Sequence, residues 1–166
     1  MGAVKLKSKN LKFMIADLKE KINGKVVILG VGNVLKQDDG LGPTLIQMLN
    51  GKLKVELIDC GVAPENFTGK IRRLEPKTIL IVDAVNFGLK PGKIKVVRHT
   101  EIRDETFTTH NISLKAFVDF IKNEIQTEVY IVGVQPKQVG FGGGLSEEVC
   151  RALERLHKAF TELLGA

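Results

Sequence analysis

Tryptophan is absent from these 166 residues, tyrosine occurs once, and aromatic residues make up only 5% of the chain. With no stacking platform and no recognition motif, nucleic-acid binding is not expected, although a net charge of +6 would attract polyanions. That charge is compatible with a solvated lysine-rich surface or with a face for an acidic protein partner. Cysteine is scarce: Cys60 and Cys150 are far apart and outside any CxxC pair, so neither a disulfide framework nor a thiolate metal site is expected. Apolar runs such as residues 78–82 are far too short to cross a bilayer, so no membrane insertion is expected. The basic opening MGAVKLKSKN lacks the apolar core of a secretory signal, which leaves the cytoplasm as the expected location. Also missing are a G-x-S-x-G nucleophile elbow, a Walker loop and an H-E-x-x-H zinc helix. Nothing in the letters fixes the carboxylate separation that glycoside hydrolysis needs.

What is present centres on residues 26–43, VVILGVGNVLKQDDGLGP. A continuous apolar run suits a strand buried on both faces. It breaks at Gly30-Val31-Gly32-Asn33 and reaches Asp38-Asp39-Gly40-Leu41-Gly42-Pro43 before an apolar helical stripe begins. The glycines resemble the start of a dinucleotide fingerprint, but Leu35 stands where the third glycine belongs, and the match fails there.

Further strands are expected over 54–59, 78–83, 93–98 and 128–134, and helices over 43–50, within 64–74, over 114–125 and after Ser146. The alternation predicts an α/β fold: a three-layer α/β/α sandwich with a mainly parallel twisted sheet. Residues 93–98 alternate charged and apolar residues, which suits an edge strand. One domain of 1–166 is expected. Residues 1–23 form a helical extension with Leu11, Ile15, Leu18 and Ile22 on one face, and 24–166 form the core.

Carboxylates then fall at or just beyond three strand ends: Asp38 and Asp39, Asp59, and Asp83. In a parallel sheet these ends share one edge, the edge where ligands bind. Asp83 directly follows an apolar run, and burying it requires a hydrogen bond, a charge partner or a metal. Asp59 reads equally as a turn-forming residue or a cleft residue. His110, in Thr108-Thr109-His110-Asn111, precedes a helix and reads as a structural histidine or as a ligand returning to that edge. Two carboxylates and one imidazole suit a borderline divalent ion such as Zn²⁺, Ni²⁺ or Mn²⁺. Phe141, within a glycine-rich loop, is a cover, a substrate contact or a simple anchor. Candidate substrate-cleft residues are Asn33, Asp38, Asp59, Gly61 and Phe141. Cys60 reads as a small buried residue, not a nucleophile.

The segments GVGNVLKQDDGLGP, IDCGVAPEN, IVDAVNFGLKPG, TTHN and VGVQPKQVGFG follow one another in the order seen in the hydrogenase maturation endopeptidases. The chain resembles that family over nearly all of residues 26–164, most closely the members serving formate-hydrogenlyase-type [NiFe] hydrogenases. The resemblance implies a protease that removes a C-terminal propeptide from the hydrogenase large-subunit precursor after nickel insertion. It implies Asp39, Asp83 and His110 as both metal ligands and catalytic residues, with Asp39 and not Asp38 as the first of them. Nickel is then recognised in the precursor, with zinc or cadmium as stand-ins in vitro, by a monomer or weak homodimer. Two mechanisms stay open: sensing of nickel already held by the precursor, or metal activation of water or of the scissile carbonyl. A non-enzymatic nucleotide- or metal-binding module is the alternative. Where the family often has Asp-Gly-Gly, this chain has Asp59-Cys60-Gly61.

Overall fold

The computed structural model describes residues 2–101 and 114–165, with residues 2–9 described by their backbone alone. Its strands are β1 (Val26–Val31), β2 (Glu56–Gly61), β3 (Thr78–Ala84), β4 (Ile94–Arg98) and β5 (Glu128–Val134). Its α-helices are α1 (Gly2–Lys21), α2 (Leu41–Leu49), α3 (Thr68–Leu74), α4 (Leu114–Glu124) and α5 (Glu147–Leu164). The five strands form one sheet in the order β2-β1-β3-β5-β4, parallel throughout except for the antiparallel pairing of β4 with β5.

The continuous apolar runs of β1 and β3 are buried along their whole length because both sheet faces are covered. The pleat divides them. Val26, Ile28, Leu80, Val82, Tyr130 and Val132 pack with α2, α5 and Leu18 of α1. Val27, Leu29, Ile79, Ile81, Val129 and Ile131 pack with Ile71 of α3 and with Phe117, Val118 and Ile121 of α4. This is the expected three-layer sandwich, and β4 is the expected edge strand.

Chain order creates a crevice. From β1 the chain crosses over α2 to β2 on one side, then returns over α3, on the opposite face, to β3 on the other side of β1. The connections leaving β1 and β3 therefore diverge, which makes the C-terminal ends of those two strands the place where this topology binds a ligand, called the cleft below.

Several expected boundaries shift. The strand expected over 54–59 is displaced to Glu56–Gly61. Lys54 N–H instead meets Leu164 O at 3.5 Å, and Leu53 bridges Gly165, so this part of the connection is tied to the end of α5. β2 continues to Gly61 by pairing past an irregularity at Gly30/Val31. The helix expected within 64–74 divides into a 3-10 turn, Pro64–Phe67, and α3. On α1 Leu18 is fully buried; Met14 and, just past the helix, Ile22 are half-buried against the same core, and Leu11 and Ile15 are half-buried as well.

Candidate functional site

Beyond β1 the chain turns through a short 3-10 segment, Gln37–Gly40, that runs directly into α2. Two close backbone approaches make this geometry possible. A Cβ on Gly32 would lie 1.9 Å from Asp39 O, at a φ of +151°. A Cβ on Gly42 would lie 2.4 Å from Val31 O and 2.5 Å from Val82 O, so only glycine lets α2 start against the ends of β1 and β3. Asp38, Asp39 and Gly40 are buried at this helix entry. A dinucleotide's pyrophosphate needs that entry for itself. Two carboxylates in that position oppose a second anion.

Asp39 is 1% exposed, and its Oδ2 accepts the Asn33 N–H at 3.0 Å. Asp83 is fully buried within β3, one residue before the strand ends, and pairs in register with Gly133 of β5. Alternation with Ile79 and Ile81 aims it to the face covered by α3 and α4. The 3-10 turn carrying Asp39 packs against β3. Both aspartates therefore border the cleft between β1 and β3. Glu124, at the end of α4, pairs with Arg72 of α3 at 3.2 Å, and β5 starts at Glu128. The 11-residue α4 thus begins, at Leu114, near the sheet's C-terminal edge. His110 lies outside the described residues, as do Thr108, Thr109 and Asn111.

The other expected cleft residues separate. Asp38 does not face the cleft: it is fully buried, and both of its oxygens accept bonds from residues 137, 138 and 146. Asp59 is exposed and points to the α2 face, opposite Asp83. Its Oδ1 accepts Gly61 N–H at 2.9 Å, so the turn-forming reading holds. Gly61 has a φ of +53°, and its carbonyl accepts Gly32 N–H at 2.8 Å beside the Asp39 turn. Asn33 contributes its backbone N–H to Asp39, while its side-chain Oδ1 accepts Leu35 N–H at 2.9 Å. Phe141 is 78% exposed, with the Lys36 ammonium 5.0 Å from its ring centroid, so it is no buried anchor.

A family model, HycI hydrogenase maturation protease, matches residues 40–163. The chain belongs to the hydrogenase maturation protease family. The protease is 38% identical over 135 residues to the hydrogenase 3 maturation protease of Escherichia coli K12, covering 80% of this chain and 86% of that one. The crystal structure of the [NiFe] hydrogenase maturation protease HycI from Thermococcus kodakarensis KOD1 is similar to it with a TM-score of 0.81. Identity there is 29%, over 89% of this chain and 97% of the other. The solution structure of the endopeptidase HycI from E. coli gives a TM-score of 0.73 at 38% identity, over 81% and 88% of the two chains.

The protease is a peptidase, and among the described residues Cys60 and Ser146 are both otherwise engaged. Burial, with Asp59 and Glu65 nearby, pushes the Cys60 thiol up to about 12, so it stays protonated at neutral pH. Ser146 Oγ donates to Asp38 Oδ2 at 2.8 Å and accepts Val149 N–H at 3.4 Å as the cap of α5. Two residues escaped the sequence reading. The buried Gln135 closes the loop after β3: its Oε1 accepts Phe87 N–H at 2.7 Å and Leu89 N–H at 3.2 Å. That loop lays the Phe87 ring over β5, where a Cβ on Gly133 would lie 2.6 Å from it. A glycine inside the buried run EVYIVGV was the available signal for such a close approach. Among the described residues, no helix is long and apolar enough to cross a membrane.

Proposed function

We propose that this chain removes the C-terminal propeptide of a [NiFe] hydrogenase large-subunit precursor once nickel has been inserted, with Asp39, Asp83 and His110 engaging the nickel that the precursor carries. The supporting observation is the placement of two buried aspartates at the diverging ends of β1 and β3, on segments that touch. A divalent cation is a charge partner that a pair of buried carboxylates can take. Two carboxylate oxygens and an imidazole nitrogen match the preference of a borderline ion such as nickel. The relatives named hydrogenase maturation proteases point to a hydrogenase precursor as substrate.

In this reading the precursor delivers the ion, which contributes positive charge beside the scissile peptide. The chain's own groups orient the parts. Asn33 N–H fixes one oxygen of Asp39. Water is the attacking group in this reading, in keeping with a Cys60 thiol that stays protonated and a Ser146 hydroxyl bonded to Asp38. An aspartate of the pair accepts the water's proton as the new C–O bond forms, and passes it to the departing amine as the C–N bond breaks. The products are a new large-subunit carboxyl terminus and the free propeptide.

The test uses nickel-loaded and nickel-free precursor, with the mass of the large subunit as readout. Cleavage of the loaded form alone is expected, and equal cleavage of both overturns nickel recognition. Asp39→Asn, Asp83→Asn and His110→Ala should each abolish processing while the circular dichroism stays that of the wild type. Full activity in any one of them removes that residue from the site.

A further inference from the structure

The stretch that leads into Asp38 and Asp39 has little apolar burial to hold it. Val34 is 60% exposed and Leu35 68% exposed, and Gln37 occupies a left-handed φ of +49°. Apolar packing therefore cannot set the approach to Asp39 from this side. Asp38 can. Its Oδ2 accepts Lys137 N–H at 2.8 Å, Gln138 N–H at 3.2 Å and Ser146 Oγ–H at 2.8 Å, and its Oδ1 accepts Ser146 N–H at 2.7 Å. Its own N–H donates to Gln138 O at 3.1 Å. The flanking contacts repeat the pairing: Gly140 N–H donates to Gln37 Oε1 at 2.9 Å, and Gly142 N–H donates to Leu35 O at 3.2 Å.

We infer that Asp38 is the positioning residue of the centre. It fastens the 3-10 turn to the loop at 137–146, and so fixes where the adjacent Asp39 presents its carboxylate. The importance of that position rests on the proposed role of Asp39 as a ligand. An ionised carboxylate suits this place because all four of its side-chain partners are donors. An asparagine must turn an NH₂ toward at least one of them, which leaves donors of this part-buried cluster without their acceptor.

The Asn33 amide reports on Asp39 directly, because its described acceptor is Asp39 Oδ2. Hydrogen exchange is measured on the full-length wild type and on Asp38→Asn, below the melting temperature of both. The expected result is an Asn33 amide exchanging about tenfold to a hundredfold faster, together with those of Lys137, Gln138 and Ser146. The sheet amides of Leu80 and Val132 should keep wild-type rates. If Asp38→Asn does not fold, Asp38→Ser, which brings no N–H donor to the cluster, is measured in its place with the same expectation. Faster exchange at 137, 138 and 146 with an unchanged Asn33 amide overturns the inference, because Asp38 then holds only the loop. Wild-type failure to process a loaded precursor would remove the peptidase reading without altering the Asn33 result. The two failures are thereby distinguishable.

Discussion

Gly42→Ala sets two effects of opposite sign against each other. Gly42 lies in the first turn of α2, and replacing a helical glycine by alanine favours the helix by about 1 kcal/mol. The new Cβ, however, would lie 2.4 Å from Val31 O, 2.5 Å from Val82 O and 2.6 Å from Val31 N. These are backbone atoms of a central sheet, which cannot swing aside as a flexible side chain can. Ordinary contact requires roughly 3.4 Å or more, so the start of α2 must back away by about 1 Å. That movement loosens Leu41 and Leu45, both fully buried against the sheet. Overpacking of this kind costs about 1–3 kcal/mol, and the rigidity of the obstacle favours the upper end. The net expectation is destabilisation by about 1–2 kcal/mol, a fall in melting temperature of roughly 2–8 °C for a chain of this size. Thermal and urea unfolding measure it. The displacement also carries the Asp39 turn, so precursor processing should fall at temperatures where the variant is fully folded. A melting temperature equal to or above that of the wild type would refute the steric argument and leave helix propensity as the dominant effect.

Thiol labelling should separate the two cysteines: exposed Cys150 reacts with a maleimide or aryl disulfide at pH 8, and buried Cys60 reacts only on unfolding. The Cys60 thiol is raised from 9.0 to about 12 in the folded chain. The unfolded state therefore releases its proton first, and the stability tied to this group is intact below pH 9 and declines as pH rises toward 12, more steeply than in Cys60→Ala. Phe141→Ala should leave the melting temperature within about 1 °C of wild type, since the ring is 78% exposed, and should raise KM for the precursor. A wild-type KM would remove Phe141 from the substrate cleft.

Local rules made much of the fold legible. Continuous apolar runs specify strands covered on both faces, the charged alternation of 93–98 specifies an edge, and Ser146 specifies a helix start. The same runs place Asp39 and Asp83 at one edge, because parallel strands all end on the same side of the sheet. Asp38 and Asp39 are the counterexample. They are adjacent and chemically identical, and nothing in their neighbours says which of them faces the cleft. Tertiary structure decided it through partners 99 to 108 positions away, which supply four donors to Asp38. Asp59 was ambiguous for the same reason until the pleat of β2 turned it away from Asp83. Periodicity reports which face of its own element a residue occupies. Which distant segment lies against that face is set by loop closure and packing, and these depend on the whole chain.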